Sequence, residues 1–561
     1  MVENRVILNL MVSLVYMSEL VYMPIFRTIA QCLFCISVLG ITLIGCSKKI
    51  REDVKSVSIT PFTYDKYEID TGTAKHQTIV SGFLLGGAVA DIAVVNIDKD
   101  KSRHLHVYTF KNSGWELGLN TTLRQQVLFV DIANFDGHDR LITYEPGHLN
   151  WFDIDSDTER VLIDIDIKCN GLNANKIPHI DITRDLNGDG RDDLVLPNID
   201  GFWISTQMDN GSFSEPIKVG PPDPFLDEKP MDESRSYREV GINTLTVFWY
   251  LSRLHQMDYD QDGRIDLVFW NEDHFDVYLQ RADGMFSTDA VTFTVDVSFD
   301  TDGAYAIAFA FSGENLFSLM FGFRENSKHK MLHMFRDFNC DGVADMVIHT
   351  LEGRSLGKQH SLYQVHFGEQ ANNGTKFSQD IDLTIRPTGK AGGLLPWGYA
   401  YQWWQDIDGD GQIDILFKDV KTAIGGMVRA MVGNSIPIDL AFFRMEEGMY
   451  PHKPTVTRRL RPSLEIFNAQ GVFFPAVLLG DVNGDNRSDL IVGKNWSEMN
   501  VYLGIPGPKL LTRDPQKVTV AMPHDERNMR LVDLNKDNKQ DILIYHPSSS
   551  EPHRVVMLKT R

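Results

Sequence analysis

A nine-residue acidic loop, Asp-x-[Asp/Asn]-x-Asp-[Gly/Asn]-x-x-Asp, recurs six times in this chain, and a chain that repeats one small unit folds by stacking its copies. The first three are Asp185-Leu-Asn187-Gly-Asp189-Gly190-Arg-Asp-Asp193, Asp258-Tyr-Asp260-Gln-Asp262-Gly263-Arg-Ile-Asp266 and Asp337-Phe-Asn339-Cys-Asp341-Gly342-Val-Ala-Asp345. The others are Asp406-Ile-Asp408-Gly-Asp410-Gly411-Gln-Ile-Asp414, Asp481-Val-Asn483-Gly-Asp485-Asn486-Arg-Ser-Asp489 and Asp533-Leu-Asn535-Lys-Asp537-Asn538-Lys-Gln-Asp541.

Short side chains at positions 1, 3 and 5 converge only if the backbone curls around a common centre, so position 6 must turn sharply. It is always Gly or Asn, the residues that most readily turn left-handed. The donor set suits a hard cation such as Ca²⁺, with a position-7 carbonyl and the position-9 carboxylate completing the shell. No thiolate or imidazole belongs to the pattern, which disfavours zinc and copper. An EF-hand needs Glu at position 12, where this chain has Leu196, Phe269, Ile348, Phe417, Val492 and Ile544. The plainer alternative is a set of solvated turns that need no ion, since Asp, Asn and Gly are ordinary turn formers.

Each loop runs straight into a short apolar segment, such as Leu194-Val-Leu196 or Ile542-Leu-Ile544, which predicts a buried strand. A second strand follows, as in Phe275–Leu279 and Asn500–Gly504, and then often a Gly-x-Phe turn, as in Gly211-Ser-Phe213 and Gly284-Met-Phe286. This combination resembles the FG-GAP/VCBS repeat family, whose members fold as all-β propellers with a calcium loop between strands of a blade, as in integrin α-subunit heads. The resemblance covers most of the chain after about residue 80. Two weaker copies precede the six: Leu128–Tyr144 keeps Asp131, Asn134, Asp136 and Gly137 out of register, and Gly86–Val95 keeps only Asp91. Neither is expected to hold an ion. Position-9 equivalents at 91, 139, 193, 266, 345, 414, 489 and 541 lie 48 to 79 residues apart, which suits blades of four strands. Eight blades are expected over residues 76–561; seven is the alternative, with N- and C-terminal strands sharing one blade.

The formal charge of −21 argues against a nucleic-acid partner and has a local source: the six loops hold 20 carboxylates at positions 1, 3, 5 and 9. Six divalent ions would offset more than half of that charge.

Ahead of the repeats, Arg27, the apolar run Ile29–Gly45 and Leu43-Ile-Gly-Cys46 have the layout of a secretory signal. Leu-x-Gly-Cys resembles the lipobox of bacterial lipoproteins, in which Cys46 becomes the lipidated first residue. That implies a signal region over 1–45, with a true start possible at Met23, a lipidated Cys46 with a linker to 75, and a membrane contact through lipid. The alternative is an uncleaved anchor helix, short for a span. Ser47 points to the outer membrane or cell surface. Cleavage would leave Cys169 and Cys340 besides Cys46, too few for a disulfide framework.

Other signals have bland readings. Gly353-Arg-Ser355-Leu-Gly357 spells a nucleophile elbow but lies between strand-like runs, so a hairpin turn is expected. Trp397, Tyr399, Tyr401, Trp403 and Trp404, and the similarly placed Val247–Tyr250, read as blade strands before a ligand platform. Pro221–Arg238 reads as a long surface loop, and His452, Lys453, Arg458, Arg459 and Arg461 form a basic island. Together these features predict a calcium-binding, non-catalytic scaffold of the bacterial cell envelope for a protein or glycan partner. The rival is a propeller enzyme, a polysaccharide lyase or a quinone-dependent one, which needs basic groups converging near the ring axis.

Overall fold

A computed structural model describes residues 59–561 except 136, 168–175, 199, 223–237, 240–244, 247–252, 300–326, 354–359, 387–402, 421–434, 436, 464, 469–470, 474–475, 524–527 and 549–550. Lipobox Cys46, the signal region, Cys169, Val247–Tyr250, Trp397, Tyr399, Tyr401, Ser355 and most of the Pro221–Arg238 loop lie outside the described residues.

The described chain forms eight four-stranded antiparallel sheets, the blades of a β-propeller. Blade 1 is Gln77–Gly82, Asp91–Ile97, Arg103–Lys111 and Gly114–Leu123; blade 2 is Phe129–Phe135, His138–Glu145, Gly147–Asp153 and Thr158–Ile165. Blades 3 to 7 begin with the strands Thr183–Arg184, His255–Met257, Ser327–Arg336, Trp403–Gln405 and Val477–Gly480, and follow the same serial order. Blade 8 differs. It runs Met529–Val532, Asp541–His546 and His553–Thr560, and its outer strand is Tyr64–Gly72 from the start of the propeller, paired antiparallel from Tyr64 opposite Thr560 to Gly72 opposite His553. N- and C-terminal strands therefore do share a blade, in a ring of eight and not of seven. The linker expected to reach residue 75 ends before Tyr64, because the sheet edge at His553–Thr560 needs a partner.

The second strand of each blade explains why the apolar runs are continuous. Asp193–Asn198 is buried throughout and Asp541–His546 nearly so, since each is covered on both faces by neighbouring blades. Apolar clusters lie between every consecutive pair. Val80 and Val107 meet Leu141 and Phe152, Val268 and Phe275 meet Met346, Phe417 meets Tyr363, and Ile491 meets Ile542. Ile92 and Trp115 of blade 1 share a cluster with Leu543 and Ile69 of blade 8, which closes the ring.

The expected Gly-x-Phe turns join third and fourth strands. Gly211 and Gly284 have φ of 77° and 79°, and Phe213 and Phe286 bridge back to Gln207 and Gln280. Blade 5 carries an extra hairpin, Gly368–Ala371 with Gly374–Phe377, whose Thr375 hydroxyl donates to the Tyr259 carbonyl of blade 4 at 3.1 Å. Trp404 packs with Phe338, Tyr363 and Phe417 in the core between blades 5 and 6, as a blade strand requires. Among the described residues no helix is long and apolar enough to cross a membrane.

Candidate metal-binding loops

The six acidic loops each join the first strand of a blade to the second, in blades 3 to 8, so topology brings all of them to the same end of the ring. Blade 1 makes this connection without the motif, and blade 2 with a short connection between Phe135 and His138.

Position 1 gathers the backbone. Asp185 Oδ1 accepts N–H groups from Gly188 and Asp189, and its Oδ2 accepts from Gly190. Asp406 does the same with Gly409, Asp410 and Gly411, and Asp481 with Asn483, Gly484, Asp485 and Asn486. Asp258, Asp337 and Asp533 each accept the N–H groups of positions 5 and 6. Position 6 is left-handed in every loop, from Asn486 at 61° to Gly342 at 89°. Position 4 is left-handed as well, at Gly188, Gln261, Cys340, Gly409, Gly484 and Lys536.

Position 2 was not singled out in the sequence. Leu186, Tyr259, Phe338, Ile407, Val482 and Leu534 are all buried and pin the loop to the core.

Position 9 is the first residue of the second strand, and its carboxylate is fully sequestered. One oxygen accepts the N–H of position 2, as from Leu186 to Asp193 at 3.0 Å; the other accepts an N–H at the end of the third strand, as from Gln207 at 2.8 Å. The same pair of bonds recurs at Asp266, Asp345, Asp414, Asp489 and Asp541. Each carboxylate thus ties its loop to two strands and keeps further lone pairs for an ion. Burial pushes Asp193, Asp266 and Asp345 up to about 6 and Asp414 and Asp489 up to about 7, against the pull of those N–H groups. The other carboxylates of each loop push in the same direction as burial.

Positions 3 and 5 carry the exposed charge. Position-5 Oδ1 accepts the N–H of position 7, as at Asp189, Asp341 and Asp537. Its Oδ2 always meets a positive end of a dipole or a cation. In four loops this is the amide of Asn187, Asn339, Asn483 or Asn535. The position-7 guanidinium of Arg191, Arg264 or Arg487 is there in three.

These features fit a hard divalent cation. One oxygen from each of Asp258, Asp260 and Asp262 lies within 4.8 Å of the others, and so it is for Asp406, Asp408 and Asp414. Position-3 oxygens of Asp408 and Asn535 are buried with no hydrogen-bond partner, a costly state that a bound cation would relieve.

Elsewhere, the basic island is divided. Arg458 lies over the Tyr502 ring at 4.2 Å and donates to the Thr512 carbonyl, Arg459 pairs with Asp439, and His452, Lys453 and Arg461 are exposed. On the first strands, Arg336 donates to the Trp404 carbonyl of the next blade and Arg530 to the Ser81 hydroxyl.

No protein-family model and no curated protein matches the sequence. Solved structures are similar. A lectin from Agrocybe aegerita, described as recognising non-reducing terminal N-acetylglucosamine, is 14% identical with a TM-score of 0.37 over 78% of this chain and 92% of its own. Sqt1 of Saccharomyces cerevisiae is 10% identical with a TM-score of 0.38, covering 90% of this chain and 99% of its own. Hydrazine synthase of Kuenenia stuttgartiensis is 9% identical with a TM-score of 0.29, covering 76% and 98%. At these identities no function passes from them to this chain.

Proposed function

We propose that this protein is a calcium-stiffened, non-catalytic propeller scaffold, held at the bacterial cell envelope by lipid on Cys46, which presents loops to a protein or glycan. The observation that carries the cation reading is the recurrence, in six blades, of a loop curled onto its position-1 carboxylate, with acidic oxygens that converge in the loops of blades 4 and 6 and an unpaired position-3 oxygen in those of blades 6 and 8. The envelope reading rests on Leu43-Ile-Gly-Cys46 and is tested separately, by mass spectrometry of the detergent-extracted protein for a diacylglyceryl thioether. The lyase and quinone readings call for basic groups converging on the axis; Arg336 and Arg530 instead bond between blades.

Extracellular calcium modules bind at about 10⁻⁴–10⁻³ M, so about 10 mM Ca²⁺ would stabilise the ring by about 1.4–2.7 kcal/mol per occupied loop. Summed over several loops, calcium is expected to raise the melting temperature by about 10 °C or more over EDTA, with Mg²⁺ a poor substitute. Equal melting curves in Ca²⁺ and EDTA would refute the cation assignment. Glycan-array binding by the calcium-loaded protein, and its loss in EDTA, reads the partner class.

A further inference from the structure

The loop of blade 6 already contains a full positive charge. Arg444 follows the third strand of that blade, Ile438–Phe443, and its guanidinium reaches back into the loop. Nε pairs with Asp408 at position 3, Nη2 lies 2.8 Å from Asp410 Oδ2 at position 5, and Nη1 lies 2.7 Å from Glu446 Oε1. Asp408 is 8% exposed and Arg444 is itself largely covered, so this ion pair lies where water screens little.

No other loop is arranged this way. The residue equivalent to Arg444, the one before the N–H that bonds position 9, is Thr206, Leu279, Phe367, Leu503 and Lys559 in the other five blades. None of these reaches a position-3 or position-5 carboxylate among the described contacts. Loops with a position-7 arginine pair it with one carboxylate of the loop, position 5, and Arg191 also meets Asp209 outside its loop. Arg444 spans two, in one of only two loops that carry Asp and not Asn at position 3. Its three donors fix it in place, since a guanidinium presents a planar fork suited to carboxylates.

We propose that Arg444 is the resident cation of the blade 6 loop: it bridges the two carboxylates that a metal would bridge, so this loop keeps its shape without calcium and loads last. The proposal rests on the cation reading of the other loops. To take up an ion, blade 6 must first release a half-buried guanidinium held by three partners, so part of the ion's attraction to Asp408 and Asp410 goes to breaking their pairing with Arg444. The blade 5 loop is the contrast, with Val343 at position 7 and no basic side chain on its carboxylates among the described residues.

Native mass spectrometry of EDTA-stripped full-length protein, titrated with Ca²⁺, counts the ions bound by wild type and Arg444→Met. The variant is expected to bind one ion more than wild type at sub-saturating calcium, through a rise of about tenfold or more in the affinity of this loop. It should melt several degrees below wild type in EDTA and recover in Ca²⁺. An unchanged or smaller count in the variant, with wild type loaded, overturns the proposal. If wild type binds no ion at all, the cation reading of the loops fails; the melt in EDTA then decides for Arg444, and equal melting of the two proteins would refute it. Should Arg444→Met not fold, the double variant Asp408→Asn/Arg444→Met, which gives blade 6 the Asn-containing donor set of blade 5, is counted in its place.

Discussion

Asn486 and Asn538 take the left-handed conformation that Gly190, Gly263, Gly342 and Gly411 take in the other loops, with φ of 61° and 62°. Every position-6 N–H is drawn onto the Oδ2 of position 1, which dictates the turn. Gly263→Ala therefore costs about 1–2 kcal/mol, because nothing crowds its Cβ and only the backbone objects, whereas Asn486→Gly changes stability by less than half as much; urea unfolding of the two variants measures the difference. Position 6 was legible in the sequence because only two residue types occur there. Position 4 was not: Gln261, Cys340 and Lys536 share its left-handed conformation with three glycines, so no residue type marks it. Arg444 was equally hidden, thirty-odd residues from the loop it enters, since a pattern search along the chain does not see a contact made across strands.

At the scale of strands, the apolar runs after each loop announced the second strand of the blade because burial on both faces removes any alternation. The closing strand carried no such mark. Tyr64–Gly72 lies at the outer edge of blade 8 and buries only Ile69 and Thr71, so its sequence looks like linker. Its partner, His553–Thr560, lies at the far end of the chain, and no local pattern pairs the two. Ile69 is 5% exposed in the cluster shared by blades 8 and 1. Ile69→Asp would bury an unpaired carboxylate there and cost several kcal/mol, seen as a lower melting temperature and as faster proteolysis at the seam; full stability in that variant would mean the strand does not lock the ring.

Across the whole molecule, two sets of buried groups give opposite pH dependences. Position-9 carboxylates such as Asp414 and Asp489 are raised from 3.8 to about 7, so their stabilisation is complete below the unfolded value and is lost as pH climbs through the folded one. Buried His255, His333 and His349, held down to about 3, 4 and 3 mainly by desolvation, contribute fully above 6.5 and lose stability as pH falls. The histidines act alike with or without calcium, so the gap between melting temperatures in Ca²⁺ and in EDTA isolates the carboxylates. That gap is expected to widen from about pH 5 to about pH 7.5, as the raised position-9 carboxylates of blades 3 to 7 ionise in the metal-free loops. A gap independent of pH would exclude these carboxylates from the cation sites. The closing strand also sets an order of events. Among the described strands Tyr64–Gly72 is the first to be synthesised and the last to find its neighbour, so through the making of seven further blades it waits with an unpaired backbone. During that interval another copy whose blade 8 is made but not yet closed offers the same missing edge, so strand exchange between molecules is the error this closure invites and a chaperone has a defined segment to shield.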